Sequence, residues 1–271
     1  MMQPKLEIKA VVKTFPRAEQ AIIALDDVNL TVNDKEFLTV IGPSGCGKST
    51  LLRCIAGLEQ SDTGLITLNG REVKRPGPER MMVFQGFEQL FPWLNVLGNI
   101  TYPLRIARRK MTARERLKTA EYYLNLVGLP DAAGLYPYQL SGGMKQRVAI
   151  ARALSLNPEV LLMDEPFGSL DAITRNALQK EIARIWQETG VTIVFVTHNL
   201  EEAIALADRI VVFSQGKIRA IVSNHLPRPR SFDNPDFGLL WDRLHYLLDA
   251  GAGTKEIRIV TGGSTAAGLV F

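Results

Sequence analysis

The side chains and glycines best suited to chemistry stand in the run Gly42-Pro43-Ser44-Gly45-Cys46-Gly47-Lys48-Ser49-Thr50, which has the spacing G-x-x-x-x-G-K-[ST]. Glycines in such a run let the backbone curl until successive N–H groups converge on phosphate oxygens. A helix that follows aims its own N-terminal N–H groups at the same point. Lys48 would neutralise phosphate charge, and Ser49 would offer its hydroxyl to Mg2+. The alternative is a chance glycine-rich turn. Against it stand the apolar run Phe37 to Ile41 before the loop and the helix-like Leu51 to Ala56 after it, the strand–loop–helix context that a phosphate cradle needs.

Two further stretches add suitable groups. Val160 to Glu165 is a buried-type strand ending in two acids. Asp164 would complete a Mg2+ shell, as the strand-end aspartate does in P-loop NTPases, and Glu165 is placed to orient or deprotonate an attacking water. Alone, the stretch could be any strand running into a solvated turn. Leu140 to Arg147 reads Leu-Ser-Gly-Gly-Met-Lys-Gln-Arg, and Met144, Val148, Ala151 and Leu154 share one face of the helix that follows. Ser141 is a good N-cap, and Gly142 and Gly143 expose helix-terminal N–H groups. The stretch is therefore either a second anion site or a capped helix with no ligand. One nucleotide does not obviously need two such loops.

These groups need a scaffold, and the pattern supplies one. Short β-branched runs at Phe37 to Ile41, Val160 to Met163, Val191 to Thr197 and Arg209 to Phe213 alternate with helical spacings, which predicts a largely parallel sheet with helices on its faces. Leu6, Ile8 and Ala10, then Val28, Leu30 and Val32, alternate at period two as half-buried antiparallel strands do. Thr67 to Asn69 and the Gln215-Gly216 turn read as hairpin elements. From about Phe87 to Pro158 the chain turns helical, an inserted subdomain whose basic run, Arg105 to Lys118, is either a solvated face or a headgroup-binding one. After the Pro-rich Leu226 to Arg230, Leu240, Leu244, Leu247 and Leu248 follow one helix face, and the Gly-, Ala- and Thr-rich stretch from Ala250 to Phe271 is expected to be poorly ordered or loosely docked.

Composition narrows the classes. The chain has 271 residues, 32 Lys+Arg against 28 Asp+Glu and two cysteines, which excludes a disulfide scaffold, while Cys46 and Cys54 are too few for a zinc site. Apolar runs of about five residues, such as Ala21 to Leu25, fall short of the roughly 18 needed to cross a bilayer. The charged start MMQPKLEIKA shows no secretory signal, so a reducing cytosol is the expected compartment. The net charge of +4 allows nucleic acid, anionic lipid or an anionic ligand without choosing among them.

With these motifs in order, the chain resembles the ATP-binding subunit of an ABC transporter over about Leu6 to Val222. Besides the Walker A loop, the Walker B strand and the Leu-Ser-Gly-Gly signature, Gln85 resembles the Q-loop glutamine, Ser169-Leu170-Asp171 the D-loop and His198 the switch histidine. The resemblance implies an α/β fold: a P-loop NTPase (RecA-like) core with an N-terminal antiparallel β subdomain and an inserted α-helical subdomain at about 87–158. Residues 1–225 would form the ATPase domain and 226–271 a C-terminal extension with one amphipathic helix and a flexible end. It also implies head-to-tail dimers, of this chain or with a close relative, in which the Walker A loop of one protomer and the signature of the other close on one ATP. Ser141, Gly142 and Gly143 would then act in trans, and Asp171 of the D-loop would count among the nucleotide-binding residues. Ser49, Gln85 and Asp164 would hold Mg2+, while Glu165, His198 and Gln85 would serve hydrolysis. Phe15 matches the aromatic that stacks on adenine, the other reading being an edge-strand core residue.

The stretch after Gln85, including Leu90, Pro92 and Trp93, would form the groove for a coupling helix of a permease subunit, placing the chain on the cytoplasmic face of the inner membrane. Met144 replaces the usual signature glutamine, and Asn199 follows the switch histidine in place of the frequent aspartate. Together with Pro76 to Arg80 and Phe91-Pro92-Trp93, the Leu-Ser-Gly-Gly-Met form resembles importers of nitrate, sulfonate, taurine or bicarbonate, which also use an extracytoplasmic solute-binding protein. Other readings are an importer ATPase for a different small solute, a soluble ABC ATPase acting on nucleic acid, and a non-catalytic cassette. The single cassette disfavours nucleic acid as a partner, and the intact Lys48, Glu165 and His198 argue against loss of catalysis.

Overall fold

The computed structural model describes residues 4–16, 21–168, 170–230 and 234–249, and of Phe87 only the backbone. Ser169 and the stretch from Ala250 to Phe271 lie outside the described residues. The strands are β1 (Leu6–Phe15), β2 (Ile22–Val32), β3 (Phe37–Ile41), β4 (Thr63–Leu68), β5 (Arg71–Glu72), β6 (Arg80–Val83), β7 (Val160–Asp164), β8 (Thr192–Thr197), β9 (Arg209–Ser214) and β10 (Lys217–Ser223). The α-helices are α1 (Lys48–Ala56), α2 (Val96–Ala107), α3 (Ala113–Leu126), α4 (Gly142–Ser155), α5 (Ala172–Thr189), α6 (Leu200–Leu206) and α7 (Pro235–Asp249).

Two sheets result, ordered β2-β1-β4-β5 and β10-β9-β3-β8-β7-β6. The first is antiparallel. In the second, β9, β3, β8, β7 and β6 are parallel and β10 closes one edge antiparallel to β9. Strands β3, β7 and β8 are buried throughout, as parallel strands covered on both faces must be. Their alternate residues feed opposite layers. Phe37, Leu161, Ile193 and Phe195 join a core with helices α2 to α5, whereas Leu38, Leu162, Val194 and Val196 join α1 and the antiparallel sheet. A third cluster seats α7 through Phe237 and Leu244 on α6 and the β9 edge, with Leu240, Leu247 and Leu248 packed beside them.

Local chemistry explains the ends of these elements. Asn95 caps α2, Thr112 and Glu115 form a reciprocal capping box on α3, and Asp171 caps α5. Left-handed Gly57 and Gly190 terminate α1 and α5. The hairpins at Asn69-Gly70 and Gln215-Gly216 have positive φ at both turn residues, the geometry that suits a twisted two-residue hairpin.

One strand departs from the simple alternation. Ala10, expected on the buried side with Leu6 and Ile8, is exposed and has φ of 49°. The register slips there, and Val11 takes the inward place as a bulge inserts one extra residue.

Candidate functional site

The residues singled out above mostly follow the C-terminal ends of four adjacent parallel strands: the phosphate loop after β3, Gln85 after β6, Asp164 and Glu165 at the end of β7, and His198 after β8. Ligands of open α/β sheets bind at this edge, because the loops there diverge over the helix N-termini. The register brings Ile41 beside Thr197 and Asp164 beside Val196, so positions scattered over more than half the sequence converge.

The phosphate loop is built around backbone that tolerates no side chain. A Cβ on Gly42 would fall on the carbonyl oxygen of Phe213, and one on Gly47 on that of Ala24; Gly47 also has φ of 109°. Cys46 fills space beneath the loop, and burial pushes its thiol up in pKa, which suits a packing role. Lys48 is only 5% exposed. Its Nζ donates to the carbonyls of Gly42 (2.8 Å) and Pro43 (2.9 Å), and among the described residues no carboxylate forms an ion pair with it. A buried ammonium balanced only by carbonyls is a site for an anion. The helix behind it agrees, since Gly47 puts no capping side chain over the first N–H groups of α1.

Ser49 Oγ donates to Asp164 Oδ1 at 2.9 Å. Burial raises the pKa of the Asp164 carboxyl, opposed by the Ser49 hydrogen bond. An enclosed acid beside a hydroxyl offers two hard oxygen donors. Among the described residues no cluster of three or more His, Cys, Asp or Glu side chains could hold a metal alone. That is the donor set of an ion which completes its shell with phosphate and water, so the residues fit Mg2+.

Glu165 lies beside this pair in a left-handed conformation, φ 43°, its N–H donating to Val196 O at 2.9 Å. Such a backbone is costly for a non-glycine residue and fixes where the carboxylate points. His198 Nδ1 lies 2.9 Å from Glu165 Oε2, and Gln85 Nε2 lies 3.5 Å from the same oxygen, at the edge of hydrogen-bond reach. Where the Glu165 carboxylate accepts, Nδ1 is the donor of this pairing. Below His198, Thr197 Oγ1 donates to Glu202 Oε2 at 2.5 Å and Arg175 Nε sits 3.8 Å from Glu202 Oε1. Arg175 also donates to Leu170 O, so one buried acid ties the loop of His198 to the turn before α5.

Other predicted residues lie elsewhere. Phe15 is half-buried at the end of β1 with Lys13 Nζ 5.2 Å over its ring. Ser141 caps α4 by accepting from Met144 N, and Gly143 lies against Thr174. Among the described residues no hydrogen bond joins Ser141, Gly142 or Gly143 to the phosphate loop. Asp171 uses its carboxylate to accept from Thr174 N and Oγ1, which lowers its pKa.

The groove beyond Gln85 exists but its lining differs from expectation. A cavity of about 540 Å³ is bordered by Met81, Phe84, Phe91, Tyr102, Pro103 and Ile106. Leu90 is buried in the helical core, where its apolar side chain gains more than at the surface, and Trp93 stands outside, packed on Phe91 at 5.5 Å. Sequence reasoning also missed Gln89, Gln146, Arg152, Arg175 and Glu202. Only a pairing across dozens of positions reveals them, and no local spacing signals it.

Comparison with known proteins agrees with this geometry. The model of the ABC transporter family matches residues 25–168. The nitrate import ATP-binding protein NrtD of Synechococcus elongatus is 47% identical over 230 residues, covering 85% of this chain and 82% of that protein. The bicarbonate transport ATP-binding protein CmpD of the same organism is 43% identical over 253 residues, covering 91% and 90%. A solved dimeric ATP-binding cassette in a post-hydrolysis state with ADP and Pi superposes with a TM-score of 0.73 at 34% identity, covering 84% of this chain and all of that one. The chain belongs to the ABC transporter family, as one of its ATP-binding subunits.

Proposed function

We propose that the chain binds Mg2+-ATP on the phosphate loop and hydrolyses it as a dimer, driving import of a small anion through separate permease subunits. The observation that carries this reading is the buried Lys48 without an acidic partner, set between the Ser49–Asp164 pair and the Glu165–His198 pair. Lys48 and the first N–H groups of α1 would bind phosphate. The loop from Gly42 to Thr50 would wrap it, and Phe15 would support the base. Ser49, Asp164 and the Gln85 amide oxygen would hold Mg2+, which supplies charge neutralisation on the phosphates. Glu165 would take the proton of the attacking water. His198 would support Glu165 through Nδ1 and contact the γ-phosphate.

Two chains are needed because α4 is open. Gly142 and Gly143 present N–H groups that no residue of the phosphate loop meets, and a second protomer's nucleotide would complete them, as the dimeric relative suggests. Asp171 would act at that junction by holding the α5 terminus against Gly143. Residues 1–225 serve as the ATPase domain, with the helical part at about 87–158, and 226–271 as an extension anchored by α7.

Among the described residues no helix is long and apolar enough to cross a membrane. The apolar groove beside Gln85 is read as the seat of a permease helix at the cytoplasmic face of the inner membrane, with a solute-binding protein delivering cargo from the other side. Similarity to nitrate and bicarbonate proteins supports an oxyanion as cargo. Deleting the subunit and measuring uptake of labelled nitrate, bicarbonate, taurine and alkanesulfonate tests it. Loss of one is expected, and unchanged uptake of all four would overturn the anion assignment.

A further inference from the structure

Gln89 occupies an unusual position between two parts of the site. Its Nε2 donates to Phe84 O (3.0 Å) and Gly86 O (3.0 Å), and its Oε1 accepts from Phe84 N (3.2 Å). One side chain thus clamps the backbone on both sides of Gln85. The same Nε2 lies 3.2 Å from Gln146 Oε1, so its two hydrogens are shared among three acceptors, and the Gln89 carbonyl accepts from Arg152 Nη1 at 2.8 Å. Gln146 and Arg152 both belong to α4, the helix that opens at Ser141. The guanidinium of Arg152 also lies 5.6 Å over the Phe91 ring.

The amide orientations are fixed by this network. Gln89 must turn its nitrogen to two carbonyls, so Gln146 must turn its oxygen to Gln89. Gln146 is fully enclosed, and its own Nε2 has no partner among the described residues. A closed interior rarely leaves a donor orphaned, and such a donor favours any neighbouring arrangement that supplies an acceptor.

We infer that Gln89 and Gln146 form a latch that sets the loop of Gln85 relative to the N-terminus of α4, and that the latch re-forms with a new partner for the Gln146 amide when α4 closes on nucleotide. Both are positioning residues; neither touches the reacting atoms. The inference rests on the dimeric reading above. Through these two side chains the Gln85 loop and the signature helix sense each other.

The test uses the full chain carrying Glu165→Gln, with ATP-driven dimerisation followed by sedimentation and single-chain affinity followed by a fluorescent ATP analogue at low protein concentration. Adding Gln146→Met or Gln89→Met, which keeps side-chain volume but removes the amide, is expected to weaken dimerisation about tenfold, the size of one lost net hydrogen bond. Affinity of the single chain for the analogue should stay within about twofold, because the phosphate loop is untouched. The double variant should lose no more than either single one. In the otherwise native chain, either substitution should lower kcat even when the rate is divided by the folded fraction measured by circular dichroism, a correction that would cancel a mere loss of stability. Unchanged dimerisation and kcat, or two losses that add in full, would overturn the latch. Failure of Glu165→Gln alone to dimerise with ATP would instead overturn the dimeric reading. Gln89 is only half-buried, so its variant serves if Gln146→Met fails to fold.

Discussion

The N-termini of α1 and α4 are both rich in glycine, yet they are finished differently. At α1 the cap is a left-handed glycine without a side chain, and the same chain supplies the cation, the hydroxyl and the acids around it. At α4 Ser141 satisfies Met144 N and Thr174 packs on Gly143, while among the described residues no charged side chain is hydrogen-bonded to Gly142 or Gly143. In the proposed dimer the first terminus is a complete anion site and the second is half of one, which a partner's nucleotide would complete. A dipole of about half a charge is common to both, so what separates them is the company each keeps.

Substitutions can break this contrast in order of size. Glu165→Gln keeps the shape of the α1 site while removing the proton acceptor proposed for it. ATP hydrolysis should fall by about 100- to 10,000-fold with ATP binding retained, measured by phosphate release and nucleotide titration. Lys48→Ala removes the buried cation that α4 lacks. Turnover should drop about 100- to 1,000-fold and nucleotide affinity should fall with it.

Gly143→Ala strikes the other terminus. Its Cβ would sit 2.6 Å from Thr174 Cγ2, so stability should fall by about 1–3 kcal/mol in chemical denaturation, with single-chain ATP affinity intact. Adding Thr174→Ser, which deletes the clashing methyl and keeps the hydroxyl bound to Asp171, should restore most of the loss.

The smallest effect sharpens the comparison electrostatically. Burial raises the Asp164 pKa in the fold, so the native state keeps its proton at pH values where the unfolded chain has lost it. Stability from this group therefore falls as pH rises from the ordinary carboxylate range through the raised value, and the full cost is present above it. Asp164→Asn should raise Tm by a few degrees at neutral pH without ligand and lose that advantage in acid, as thermal unfolding followed over pH will show. No such trade is expected at Ser141.

Much of the site could be read from the chain because its parts are contiguous: a loop and its helix, a strand and its final acids, a cap and its glycines. The parallel sheet was legible for the same reason, since a fully buried strand is an uninterrupted apolar run. What escaped depends on distance or on a single backbone turn. Ala10 continues a perfect alternation until a bulge reverses it, and no side chain announces a positive φ there. Leu90 reads as part of an apolar groove, but its burial depends on helices placed over it by later sequence. Gln89 and Gln146 are 57 positions apart, Gln89 and Arg152 are 63 apart, and each alone is an ordinary polar residue.

The glycine contacts of the phosphate loop have a mechanical consequence. Gly42 abuts Phe213 in β9, Gly47 abuts Ala24 in β2, and Gly216 donates to Cys46 O while accepting from Asp26 N. Both sheets therefore bear directly on the loop, which behaves as a keystone: it cannot yield to a pull on the phosphate unless the two sheets part. Compliance must lie on the opposite side, in the helices. In native-state hydrogen exchange the amides of β3 and β9 should be among the last to open, with those of α2 and α3 earlier, so that force applied at the nucleotide is spent moving helices while the grip itself stays still.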